Sequence, residues 1–305
     1  MKTVFFTGKG GVGKSTMASA AAWQLASTGK RVLAVSFDPA HNLGDIFGLK
    51  LTNKKKKFDK KLYLMEVNLE KSSSKYIKDN ISLLESIYSY LKPFNMERYF
   101  QVLKYSPGIE EYASLTALEE LIRTEKNFDY IIVDTPPTGL TIRILALPLV
   151  TLSWIDRLKK IRSSILEKRY TIHNINGKIS EKGVKLAYKE TDDMVMKKLS
   201  EIETRFLALK SFLEGDNNSI VVVFNPDFLS LRESQRLIND LKELHLPFRT
   251  AINNKVEERY IKDAEDIEKK LLNEVPSVKR LRIKRIEPPP EKGYTINENL
   301  TGVLF

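Results

Sequence analysis

Two lysines, a hydroxyl and two carboxylates stand at spacings that suit phosphate chemistry. Gly8, Lys9, Gly10, Gly11, Val12, Gly13, Lys14, Ser15 and Thr16 spell GKGGVGKST, the GxxxxGK[ST] pattern with a second lysine inside it. Glycines leave room for successive backbone N–H groups to converge on phosphate oxygens, and a helix N-terminus adds partial positive charge. Lys14 is placed to reach the β- and γ-phosphates, and the Ser15 hydroxyl to ligate Mg²⁺. Lys9 marks the deviant form of this loop. Its position suggests a lysine that reaches a phosphate across a dimer interface and supplies transition-state charge in trans, much as an arginine finger does. A turn that binds nothing would not need the whole motif between a strand and a helix.

The carboxylates are Asp38 and Asp134. Arg31–Ser36 reads as a strand that ends in DPAHNLGD, residues 38–45. An aspartate at the carboxyl end of such a strand faces the crevice where nucleotides bind, so Asp38 can orient or deprotonate an attacking water. Capping a turn before Pro39 is the ordinary alternative. His41 reads as part of the loop. Phe128–Val133 is a β-prone run delivering Asp134, the pattern of a carboxylate that serves Mg²⁺. Pro136, Pro137 and Gly139 make the following loop a γ-phosphate sensor that switches by order and disorder.

The elements that position these groups follow the same alternation. Val4–Phe6 leads into the loop, and an alanine-rich helix follows over Met17–Ala26, with Gly29 at its stop. Further strands are expected at 62–67, 220–224, 248–253 and 280–286, and helices near 230–244 and 257–273. The fold class is α/β: a doubly wound, mainly parallel sheet of the P-loop type. One domain over 1–305 is expected, with a helical subdomain inserted from about 70–125 and 150–215. Its helices show as Leu84, Ile87, Tyr88 and Leu91, as Leu115, Leu118, Leu121 and Ile122, as Ile155, Leu158, Ile161 and Ile165, and as Val195, Leu199, Ile202, Phe206, Leu209 and Leu213. Tyr170–Tyr188 reads as a hairpin or a mobile loop.

Composition narrows the chemistry. The chain has 305 residues, 42% hydrophobic and 29% charged, a globular mix. It has no cysteine, which removes disulfides, thiolate zinc sites and thiolate-held clusters together. The net charge of +11 fits either a lysine-rich surface or an anionic partner. Lys54–Lys57 with Lys60 and Lys61, and Lys279–Arg285, are basic runs; no aromatic interleaving supports nucleic acid as their partner. No uninterrupted apolar run approaches about 18 residues, so no transmembrane helix and a cytoplasmic location are expected.

GKGGVGKST, DPAHNLGD and DTPPTGLTIRIL together resemble the ArsA/Get family of arsenical-pump ATPases and guided-entry ATPases, closest to the single-unit guided-entry members. Phe224–Leu231 and Ile252–Asn254 resemble further segments of that family. The likeness is good over about 1–50, 107–150 and 220–255. It implies ATP and Mg²⁺ as cofactors, with Lys9 acting across a homodimer and Lys14, Ser15 and Thr16 on phosphate and metal. Asp38 would activate water, Asp134 would serve the metal shell, and Asn253 would read adenine. Asp227 would contact nucleotide near the dimer interface, and Pro289 would lie in an adenine-covering loop. The client implied is the apolar tail helix of a membrane protein, passed to a membrane receptor. Three departures stand out: Leu140 replaces the family's histidine, the CxxC zinc bridge is absent so no zinc is expected, and there are no arsenite-binding cysteines. The competing readings are an ATPase energising an anion or metalloid pump, a ParA- or MinD-like positioning ATPase, and a nucleotide-gated scaffold with little turnover.

Overall fold

Strands buried on both faces need near-continuous apolar sequence, and those buried on one face need alternation. Residues 220–224 and 32–35 are of the first kind; residues 62–66, alternately buried and half-buried, are of the second. The computed structural model describes residues 1–40, 42–87, 106–176, 180–181, 184–185, 187–273, 275–285 and 293–305.

In chain order the elements are β1 (Lys2–Thr7), α1 (Lys14–Ser27), β2 (Val32–Ser36), α2 (Asn42–Phe47), β3 (Lys56–Lys57), β4 (Leu62–Glu66), α3 (Leu69–Ile87), α4 (Ile109–Thr124) and β5 (Tyr130–Asp134). Then follow α5 (Thr138–Asn176), β6 (Ser180–Glu181), β7 (Val184–Lys185), α6 (Met194–Glu214), β8 (Asn218–Phe224), α7 (Phe228–Glu243), β9 (Phe248–Val256), α8 (Ile261–Leu272) and β10 (Lys279–Lys284). The main sheet runs β10-β9-β8-β1-β5-β2-β4-β3, parallel throughout except for the short edge strand β3. β1 is central and pairs with β5 and β8, and β5 pairs with β2. The carboxyl ends of β1, β2 and β5 therefore lie side by side. The alanines of α1 let it lie close against β1, β2 and β5, and Ala20, Ala21 and Ala22 are fully buried there. The strands expected from sequence are present, with ends displaced by a few residues. The last two residues of the basic run at 54–57 pair with β4 as the short edge strand β3.

The described residues divide into two compact units, 1–76 with 103–145 and 212–305, and 77–102 with 146–211. The first holds the whole main sheet. It also holds α4, which the sequence reading placed in the helical insertion; Leu115, Leu118, Leu121 and Ile122 are all buried. Apolar periodicity shows that a helix has a buried face, not which body buries it. The expected helix face at 84–91 and the loop at Pro289 fall outside the described residues or side chains.

The second unit is built on α5 and α6. Lys159 meets Glu203 at 2.7 Å, and Arg162 pairs with Asp193 through two hydrogen bonds of 3.0 and 2.6 Å. Within 170–188 the described residues form the end of α5 and the antiparallel pair β6–β7, with His173 stacked on Tyr188. α5 is 39 residues long, continues through Pro148, and contains a stretch long and apolar enough to cross a membrane by length and composition. Pro148, Thr151 and Ser153 interrupt the apolar run in the sequence without ending the helix. Val150, Trp154, Leu158, Ile161 and Ile165 follow helical spacing along one line, and all are exposed.

Candidate functional site

The phosphate loop occupies residues 8–13, between β1 and α1. Gly13 caps the helix with φ 98°, in the left-handed region, and no side chain takes the free N–H groups of the first turn. Glycine is required here twice over, because a Cβ on Gly13 would collide with Asn254 Nδ2. Gly8 is closed to a side chain in the same way by the Val223 carbonyl. Val12 is anchored in the core. The helix thus presents an uncapped, electropositive end to an open crevice of about 1140 Å³.

Gly10, Gly11, Gly13, Lys14, Ser15, Thr16 and Asp38 all line that crevice. Lys14 is nearly buried, and its ammonium donates to the Lys9 carbonyl at 3.3 Å. Burial lowers its pKa, and the Asp134, Asp38 and Glu233 carboxylates oppose that shift. Asp38 follows β2; its Oδ1 accepts the Ala40 N–H at 3.0 Å, the turn-capping contact expected before Pro39. Asp134 ends β5, where Ser36 Oγ donates to its Oδ2 at 3.0 Å. Its other oxygen is buried without a hydrogen-bond partner among the described residues. Burial pushes the Asp134 pKa up to about 6, against the Ser15 and Ser36 hydroxyls, while Asp38 adds to the rise. A buried carboxylate oxygen with no partner, beside a serine hydroxyl, is a donor set that suits a hard cation such as Mg²⁺. Pro137 lines the crevice too, and Thr138 starts α5 with its hydroxyl on Glu233 at 2.6 Å.

Other expected residues lie elsewhere. Lys9 is half-buried and off the crevice lining. Asp227 is the N-cap of α7, its Oδ1 accepting the Ser230 N–H at 2.8 Å. Asn253 does not reach the crevice. It is buried, and its Nδ2 donates to Glu268 at 2.8 Å; the neighbouring Asn254 lines the crevice instead. Successive strand residues face opposite sides, so Asn253 and Asn254 meet different surroundings. Asn254, Lys255 and Glu233 were not singled out from sequence. Asn254 stood beside the residue that was, and no local pattern marks Glu233.

Residues 1–288 match the family described as anion-transporting ATPases. The chain belongs to that family. Among its relatives, a putative arsenical pump-driving ATPase 2 of Aquifex aeolicus is 30% identical over 298 residues, covering 96% of this chain and 94% of the relative. An ATPase ASNA1 homolog of Babesia bovis is 33% identical over 259 residues, 84% of this chain and 66% of its own length. One from Cryptosporidium parvum is 28% identical over 259 residues, 84% and 65%. This anion-transporting ATPase family member therefore spans nearly all of the first relative and about two thirds of the other two. The family match runs through the loop, Asp38 and Asp134, the residues that meet at the carboxyl ends of β1, β2 and β5.

Proposed function

We propose that this protein is a Mg-ATP-hydrolysing homodimeric switch in the cytoplasm that captures the apolar tail helix of a membrane-protein client and passes it to a membrane receptor. The loop N–H groups and Lys14 hold the phosphates. Ser15 and Asp134 would hold Mg²⁺, which when bound neutralises phosphate charge. Asp38 accepts a proton as water attacks the γ-phosphorus, and the bond to the bridging oxygen breaks, leaving that electron pair on ADP. Lys9 supplies charge from the opposite protomer.

The observation that carries the client reading is the exposed line Val150, Trp154, Leu158, Ile161 and Ile165 on α5. Five large apolar side chains at helical spacing form a surface on which an apolar helix docks by its own i, i+3, i+4 face. α5 begins at Thr138, directly after the loop expected to sense the γ-phosphate, so the element that would report nucleotide state is also the element that would hold the client. The second reading, an ATPase driving an anion pump, is favoured by the Aquifex relative's name. The absence of cysteine speaks against soft-metalloid sensing.

The test is co-purification of tagged Asp38→Asn protein, expected to bind ATP without turning it over, with a co-expressed tail-anchored segment. Retention of the apolar tail, lost with a charge-broken tail and with Trp154→Glu/Ile161→Glu, is expected. Equal recovery of both tails, or none with ATP bound, sinks the client reading. Arsenite-stimulated hydrolysis would favour the pump.

A further inference from the structure

Two consecutive residues near the end of β9 hold the phosphate loop from outside. Asn254 Nδ2 donates to the Val12 carbonyl at 2.8 Å, and Lys255 Nζ donates to the Gly11 carbonyl at 2.7 Å. In a regular strand, neighbouring side chains point to opposite faces and could not converge on neighbouring carbonyls. Here the strand is not regular. Arg282 of β10 pairs with Asn253, but Lys284 pairs with Val256, so β9 carries one extra residue over this stretch. Lys255 has φ 58°, a left-handed conformation that side chains with a Cβ avoid. The two features form a bulge that re-aims its side chains. Glycine is the usual residue for such a conformation; a lysine in its place keeps an ammonium group on the loop.

The consequence for the loop follows from the planarity of the peptide. In a trans peptide the carbonyl and the next N–H point in opposite directions. Tying the Gly11 and Val12 carbonyls toward β9 therefore turns the N–H groups of Val12 and Gly13 away from it. Asn254 also packs where any Gly13 side chain would stand, which fixes the loop against the strand. We propose that Lys255 is a positioning residue for triphosphate binding: from the bulge it holds the Gly11 carbonyl and thereby sets the direction in which the loop N–H groups meet phosphate. This inference rests on the nucleotide reading of the crevice, and it assigns Lys255 to the loop rather than to the base.

Calorimetric titration with Mg-ATP and with inorganic triphosphate, alongside the melting temperature, tests it. Lys255→Gly suits the left-handed backbone and removes the whole side chain, ammonium included. It is expected to keep the melting temperature while weakening both ligands equally, by about tenfold, as loss of one charged hydrogen bond implies. Lys255→Arg is expected to restore binding, and Lys255→Met, which keeps the stem, is not. Loss of ATP affinity with triphosphate binding unchanged would make Lys255 a base contact and overturn the proposal. So would unchanged binding of both ligands by Lys255→Gly. Wild-type protein that binds neither ligand would remove the nucleotide reading itself, a different failure from wild-type binding that the variants leave untouched.

Discussion

Asp134 carries its charge where water barely reaches, and its pKa of about 6 against an ordinary 3.8 measures the cost. A rise of this size corresponds to about 3 kcal/mol against the ionised form in the folded, ligand-free protein. The folded state holds the proton more tightly than the unfolded one. The penalty is therefore absent below about pH 4, grows between pH 4 and 6, and is complete above pH 6. A cation beside Ser15 would offset it, so the site is strained until it binds. Asp134→Asn removes the charge but keeps an oxygen for the Ser36 hydroxyl. At pH 7.5 this variant is expected to melt several degrees above wild type without ligand, at about 2–4 °C per kcal/mol, and the gap should close near pH 4. Its Mg-dependent hydrolysis should be lost. A variant that melts no higher than wild type at pH 7.5 would show that burial is not what raises the Asp134 pKa.

At the scale of elements, a bidentate contact joins α5 to the start of α6. Asp193 precedes α6 and accepts the Met196 N–H at 2.8 Å while pairing with Arg162 of α5. Burial acts to raise the Asp193 pKa, but the Arg162 hydrogen bonds and charge, with the Met196 N–H, outweigh it and hold the group below its ordinary value. A depressed carboxylate stabilises the fold above its unfolded pKa of 3.8 and loses that contribution as pH falls through the lower folded value. Arg162→Met leaves a buried charge without its partner, which costs about 3 kcal/mol, and it weakens the depression to what the Met196 N–H and the Arg169 charge supply. Helical signal at 222 nm followed against pH should then fall at a higher pH than in wild type. An unchanged acid midpoint would mean that Arg162 does not hold α5 to α6. Sequence showed that these helices exist because their apolar residues recur at helical spacing. It did not show that α4 belongs with the sheet, because Leu115 and Leu118 would look the same against any partner. Nor did it place the crevice residue of β9: the Asn254–Lys255 bulge depends on pairing with β10, and no local pattern carries that. GKGGVGKST, Asp38 and Asp134 were legible for the opposite reason, since each sits at a strand end where the backbone alone fixes its position.

Across the whole molecule, basic residues outnumber acidic ones, but the basic run at 279–285 meets acidic partners within the fold. Arg282 pairs with Glu268 and Glu265, Lys284 with Glu258, and Arg285 with Glu257, so the edge strand β10 is laced to nearby carboxylates rather than left as an open anion stripe. Lys9 is the basic residue with a proposed role outside its own subunit, and that role can be read from mixed dimers. Lys9→Ala and Asp38→Asn should each be inactive alone. If Lys9 acts across the interface, a mixed dimer contains one complete site: the Lys9→Ala protomer keeps its own Asp38 and borrows Lys9 from its partner. Random pairing of equal amounts makes half the dimers mixed, each with one working site of two, and so restores about a quarter of wild-type hydrolysis. If Lys9 serves its own site, the mixed dimer has one site lacking lysine and one lacking aspartate, and mixing restores nothing. Hydrolysis measured after co-refolding the two variants separates these outcomes. A null result, with mixed dimers confirmed by two different tags, would return Lys9 to its own loop and leave Lys14 as the lysine acting on phosphate from within the subunit.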